Sequence, residues 1–156
     1  MKDKIRQLFS ILLAALFLAG CGDDPELVRF QNYMDDFCTK ISEIDTAING
    51  IDAQSDTAVN DLLSCLDELE IVFGTFAEYD FPEEFDYLEE LADRSGEYMA
   101  AAVSGYHETY KDGGYDESMA EYAKENYSRA YKCIQVIITY LHGDTPKGSD
   151  LDSAES

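Results

Sequence analysis

The sequence predicts an all-α protein, an antiparallel up-down-up-down four-helix bundle that follows a cleaved signal peptide. Three observations carry that prediction. Apolar residues recur every three and four positions along four long stretches. Short clusters of turn-forming residues separate those stretches. A compact apolar run with a basic start precedes them all.

That run is the first element. Lys2, Lys4 and Arg6 make the start basic, and from Leu8 to Ala19 every residue except Ser10 is apolar. Its length, about 12 residues, falls short of the roughly 20 that a spanning helix needs. A charged start, a short apolar middle and small residues at the end describe a secretory signal peptide, residues 1–20. The closing residues Leu18-Ala19-Gly20-Cys21 resemble the lipobox of bacterial lipoprotein signal peptides: leucine, two small residues, then cysteine. The resemblance covers the first 21 residues only. It implies that the thiol of Cys21 carries a diacylglyceryl group, that the chain is cut just before it, and that the new amino terminus is acylated, palmitate being a typical chain. Membrane attachment by covalent lipid on the extracytoplasmic face is therefore expected, in the membrane of a single-membrane cell or either membrane of a double-membrane one. Residues 21–25 serve as anchor and linker.

The first helical stripe is Leu27, Phe30, Met34, Phe37, Ile41, Ile44, Ile48 and Ile51, an a/d heptad pattern. Pro25 suits a first helical turn, and Asn49-Gly50 marks the end. The second stripe is Val59, Leu62, Leu66, Leu69, Phe73 and Phe76, with Ser55 and Asp56 as expected caps. Asp80-Phe81-Pro82 forms the next turn, and Glu83 and Glu84 suit the first turn of a third helix. That helix carries Phe85, Leu88, Ala92, Ser95, Met99, Ala102 and Tyr106, a seam with unusually small residues against which bulky neighbours are expected to interdigitate. Lys111-Asp112-Gly113-Gly114 closes it.

The fourth helix spans about Asp116 to His142, with Gly143 and Pro146 beyond. Its stripe is Met119, Tyr122 or Ala123, Tyr127, Ala130, Ile134, Ile137 and Leu141. The run Val136-Ile137-Ile138 predicts burial on more than one face. The bundle therefore occupies residues 26–143, and 144–156 reads as a disordered acidic tail. Short connections between long helices make neighbours antiparallel. This order puts the loop 49–56 and the loop 111–116 at the tip far from the anchor.

Charge narrows the function. The chain of 156 residues has a formal net charge of -22, which argues against nucleic acid as a partner, since phosphate contacts need clustered lysine and arginine. Cleavage at Cys21 removes three basic residues and one acidic residue, leaving 8 basic against 32 acidic, a net -24. Its 46% hydrophobic and 12% aromatic content supports a packed core rather than a disordered acidic chain.

Catalytic and metal motifs are weak. Tyr33-Met34-Asp35-Asp36 matches the aspartate pair of reverse transcriptases, but it lies inside a helical heptad whose Met34 and Phe37 face the core. Neither His107 nor His142 follows a glutamate by three positions, as a di-iron bundle requires. Asp52-x-Gln54-x-Asp56 starts like a calcium loop, but Thr57 stands where its glycine belongs. No nucleophile elbow, phosphate loop or Cys-x-x-Cys occurs, and no cofactor is implied.

Three cysteines remain after Cys21. Cys38 and Cys65 fall at the same height on adjacent helices, which suits a disulfide outside the cytoplasm. They flank their stripes on opposite sides, which suits buried thiols instead, with Cys133 about two turns away. Eleven tyrosines include Tyr98, Tyr106, Tyr110, Tyr115 and Tyr122 on the third and fourth helices. Tyr106, Tyr110 and Tyr115 near the tip form the candidate contact surface, because tyrosine offers area with little entropy to lose.

The leading expectation is a non-enzymatic, membrane-anchored binding module whose partner is an envelope protein, a peptide or a cell-wall glycan. Two alternatives are a small enzyme built on His107 and Glu108, and an acidic spacer that binds cations.

Overall fold

The computed structural model describes residues 24–146. The signal peptide, the anchor Cys21 and the tail from residue 147 onward lie outside the described residues. Within 24–146 the protein is all-helical, with four long helices around a main apolar core and no strand. They are α1 (Pro25–Gly50), α2 (Ala58–Ala77), α3 (Glu89–Thr109) and α4 (Glu117–Leu141).

Local chemistry explains each boundary. Asp24 caps α1 by accepting a hydrogen bond from the Glu26 amide at 2.9 Å, and Pro25 opens the first turn. At the other end the chain leaves through an extended Ile51 whose N–H bonds to the Ile48 carbonyl. Gly50 ends α1 without adopting a left-handed conformation, so this stop is not the glycine cap that its sequence suggests. Helix α2 starts one residue later than the expected caps Ser55 and Asp56. Its N-cap is Thr57, whose hydroxyl donates to Asp61 at 2.8 Å, while Ser55 accepts from the Thr57 amide.

The entry to α3 differs from the sequence expectation. Pro82 opens a turn, closed by the Phe85 amide on the Pro82 carbonyl, and a single 3₁₀ turn (Asp86–Leu88) follows. The α-helix proper begins at Glu89, so Glu83 and Glu84 belong to the turn. The physical reason is apolar: Phe81 and Phe85 are both buried against Phe30, with ring centroids 5.0 and 5.5 Å away. Holding both rings in that cluster bends the chain away from a regular helix. The Glu89 carboxylate reaches back and accepts from the Phe81 amide at 3.0 Å, which satisfies a donor the turn would otherwise orphan.

Helix α4 has the best-defined ends. The Asp116 carboxylate accepts from the amides of Ser118 and Met119, and Gly143 terminates the helix at φ 77°. The chain stays on the bundle past this point. Asp144 donates to the Thr139 carbonyl and Pro146 is buried, so the described part of the expected tail is placed against the helices.

The predicted stripes build the core. Phe30, Met34, Ile41, Leu66, Leu69, Phe73, Phe76, Leu88, Met99, Ile134 and Ile137 are among its fully buried side chains. Burying each such side chain is worth roughly 1.5–3 kcal/mol. Val59 departs from its stripe and is 40% exposed, and the α2 seam begins in earnest at Leu66.

The small residues of α3 act by close approach. A Cβ placed on Gly96 would lie 2.9 Å from the Ala77 Cβ, and one on Gly105 would lie 2.9 Å from the Ala123 Cβ. At these two glycines small residues thus meet small residues. This settles the α4 register: Ala123 is buried against α3 and Tyr122 is 48% exposed. Cys133 and Val136 form a second, smaller cluster with Leu91, Tyr98 and Tyr140, in keeping with the predicted burial of this stretch on more than one face.

Candidate functional site

The candidate surface is the turn between α3 and α4. Helix α3 ends in a 3₁₀ turn (Lys111–Gly113) in which Asp112 adopts φ 54° and Gly113 φ 73°, the left-handed region that reverses a chain. The Asp116 amide donates to the Thr109 carbonyl, and the Thr109 hydroxyl, itself buried, donates to the Gly105 carbonyl. The Asp116 bond pins the start of α4 to the end of α3 across an exposed loop.

That pinning brings the three predicted tyrosines together. The rings of Tyr110 and Tyr115 lie 5.8 Å apart at 56°, and Tyr115 is 66% exposed. Tyr106 is half-buried one turn deeper, packed on the core edge. Burial, reinforced by the neighbouring Tyr110 and Tyr115 hydroxyls, raises the Tyr106 phenol above its ordinary range. Tyr98 stands apart from this group: it takes the Arg129 guanidinium over its ring at 5.7 Å.

Acidic residues are frequent in the chain around these tyrosines. Asp112, Asp116, Glu117 and Glu121 are exposed, and Lys111 directs its ammonium to both Glu108 oxygens at 3.0 and 3.1 Å. Hydrogen bonds from Ser118 and Met119 hold the Asp116 carboxyl below the usual carboxylate range, so it stays ionised.

In the region of His107 and Glu108 the two side chains take different partners. His107 crosses to α2, where its Nε2 lies 2.6 Å from Asp67 Oδ1, while Glu108 engages Lys111. The His107 and Asp67 side chains are 47% and 52% exposed, so this pair sits at the surface.

The other sequence candidates resolve simply. Tyr33 stacks on Tyr79 with centroids 3.8 Å apart and donates to the Thr75 carbonyl. Burial, then Tyr79, pushes its phenol up to about 12. Asp35 and Asp36 point to solvent while Met34 and Phe37 are buried, as the heptad requires. The Asp52 carboxylate accepts from the Gln54 amide and so shapes its own loop. Among the described residues, no three His, Cys, Asp or Glu side chains converge into a set that could hold a metal.

Cys38 and Cys65 stand as separate thiols, so the disulfide considered for them is not formed in this structure. Cys38 is buried in the core and Cys65 packs at its margin, partly exposed. Burial, then Asp35, pushes the Cys38 thiol up to about 11. Burial also pushes the Cys133 thiol up to about 11, partly offset by Arg94.

One polar group escaped the sequence reading. The Asp45 carboxylate on α1 receives the hydroxyls of Tyr127 and Tyr131 on α4, at 3.0 and 3.1 Å. Burial raises all three groups above their ordinary ranges, and the two hydroxyl bonds partly restrain Asp45. The available signal was the i,i+4 tyrosine pair on the seam of α4, which meets an acid beside Ile44.

A scan of protein-family models found no match to the chain, and searches of curated proteins and of solved structures likewise found none.

Proposed function

We propose that the protein is a bacterial lipoprotein, held by Cys21 on the extracytoplasmic face of a membrane, and that its bundle is a non-enzymatic binding module of the cell envelope. The single observation that carries the binding reading is the gathering of Tyr106, Tyr110 and Tyr115 at one turn, with Tyr115 two-thirds exposed. Large, stiff aromatic rings at a surface gain contact area at low entropic cost.

Cross-helix pairs support an up-down-up-down order. Tyr33, early in α1, meets Thr75, late in α2. Gly96, early in α3, abuts Ala77 at the end of α2, and Gly105, late in α3, abuts Ala123, early in α4. Asp45, late in α1, meets Tyr127 and Tyr131 in α4. In that order the tyrosine turn lies at the end remote from the start of α1, some 35–40 Å away along a helix of about 25 residues. The lipid supplies the attachment, at roughly 0.8 kcal/mol for each buried methylene.

The test is crosslinking in intact cells, with the captured neighbours compared between the wild type and a Tyr106→Ser, Tyr110→Ser, Tyr115→Ser variant. Loss of captured neighbours is expected, and an unchanged set would sink the tip as a contact surface. The enzymatic alternative now rests on His107 with Asp67 rather than Glu108.

A further inference from the structure

We infer that the tyrosine turn receives a cationic polypeptide segment whose arginine or lysine side chains settle over the rings of Tyr110 and Tyr115. This inference rests on the reading of the turn as a contact surface and adds the chemistry of the partner.

Three observations carry it. The first is the aromatic pair itself: two rings 5.8 Å apart, one of them 66% exposed, offer a free face. An aromatic face attracts a cation placed within about 6 Å of its centre. The second is the field around the pair. Between residues 110 and 121 the chain has four exposed acids, Asp112, Asp116, Glu117 and Glu121, and one base, Lys111, which Glu108 already engages. The third is that the same two helices already use this contact internally, with Arg129 lying 5.7 Å over the Tyr98 ring.

Charge decides among the partners considered. A neutral glycan stacks on tyrosine but draws no Coulomb attraction from four carboxylates. An arginine-bearing segment gains from both rings and acids, and an anionic partner is repelled.

The experiment titrates the full chain with hexa-arginine and follows backbone amide shifts by NMR. Hexa-citrulline, neutral and of the same shape, serves as the control. Hexa-arginine is expected to shift amides of residues 106–121, with affinity falling about tenfold in Tyr110→Ser/Tyr115→Ser. A drop of severalfold is expected in Asp112→Asn/Glu117→Gln, and no response to hexa-citrulline. The acid variant keeps the test decisive should the tyrosine variant fail to fold. Equal affinity in wild type and tyrosine variant would overturn the inference, because the peptide would then be answering only to the net charge of the chain. Shifts confined to other regions would overturn it too. If a neutral N-acetylglucosamine oligomer bound the turn in a tyrosine-dependent way while hexa-arginine did not, the cationic partner would be wrong and the contact surface would stand. Unchanged crosslinks in the triple serine variant would instead remove the contact surface itself.

Discussion

Asp45 is the residue at which burial and charge compete most directly. Two tyrosine hydroxyls satisfy its carboxylate, yet burial dominates and lifts its proton affinity above the ordinary carboxylate value of 3.8. The folded protein therefore holds that proton more tightly than the unfolded chain does. Stability from this group is fully present below 3.8 and is lost as pH rises through its higher folded value. Asp45→Asn keeps an acceptor for the tyrosines and removes the buried charge. Relative to wild type, the variant is expected to gain more at pH 7 than at pH 4, as read from urea unfolding at both pH values. A constant difference between the two proteins across that range would contradict the account. Tyr127→Phe or Tyr131→Phe should each cost about 1 kcal/mol, the typical net worth of one such hydrogen bond.

Among the helices, α2 and α3 show how identical residue types play opposite parts. Gly74 in α2 has open space where a Cβ would stand, so it carries only the helix penalty of glycine. Gly74→Ala is expected to raise stability by about 1 kcal/mol. Gly105 faces the Ala123 backbone, where an added Cβ would come within 3.2 Å of the Cα and 2.9 Å of the Cβ. Neither neighbour is a flexible side-chain end that can swing aside. Gly105→Ala should therefore lose about 1–3 kcal/mol despite its better helix propensity, by forcing α3 and α4 apart. Thermal melting of the two variants side by side checks both signs. If both substitutions stabilised the protein, the close approach of α3 and α4 would be wrong. Periodicity located these helices but could not separate the two glycines, since space is a property of the neighbouring helix.

For the molecule as a whole, the net charge and the proposed attachment by Cys21 each make a prediction. With a net charge of -22, self-repulsion opposes the compact state and salt screens it. Raising sodium chloride from about 0.01 M to 0.5 M is expected to raise the melting temperature by roughly 3–5 °C, as read by circular dichroism. A flat or falling response would mean that the acids are already balanced locally. Attachment is tested by Cys21→Ala, which should leave the protein unprocessed or release it from the membrane fraction, as judged by fractionation and intact mass. A fully processed variant still retained in membranes would remove the lipid from the account.

The sequence by itself determined the helical class, the four stripes and most of the core residues, because a period of 3.6 residues decides which side chains share a face. It also brought Tyr106, Tyr110 and Tyr115 into view, since residues near one turn stay near one another in space. Only the tertiary structure decided that Pro82 opens a turn rather than a helix, because Phe81 and Phe85 are drawn to Phe30 from a distant part of the chain. Only it paired His107 with Asp67, and Asp45 with Tyr127 and Tyr131. Those contacts join residues 40 or more positions apart, and their geometry depends on how helices rotate against each other, which local periodicity does not specify.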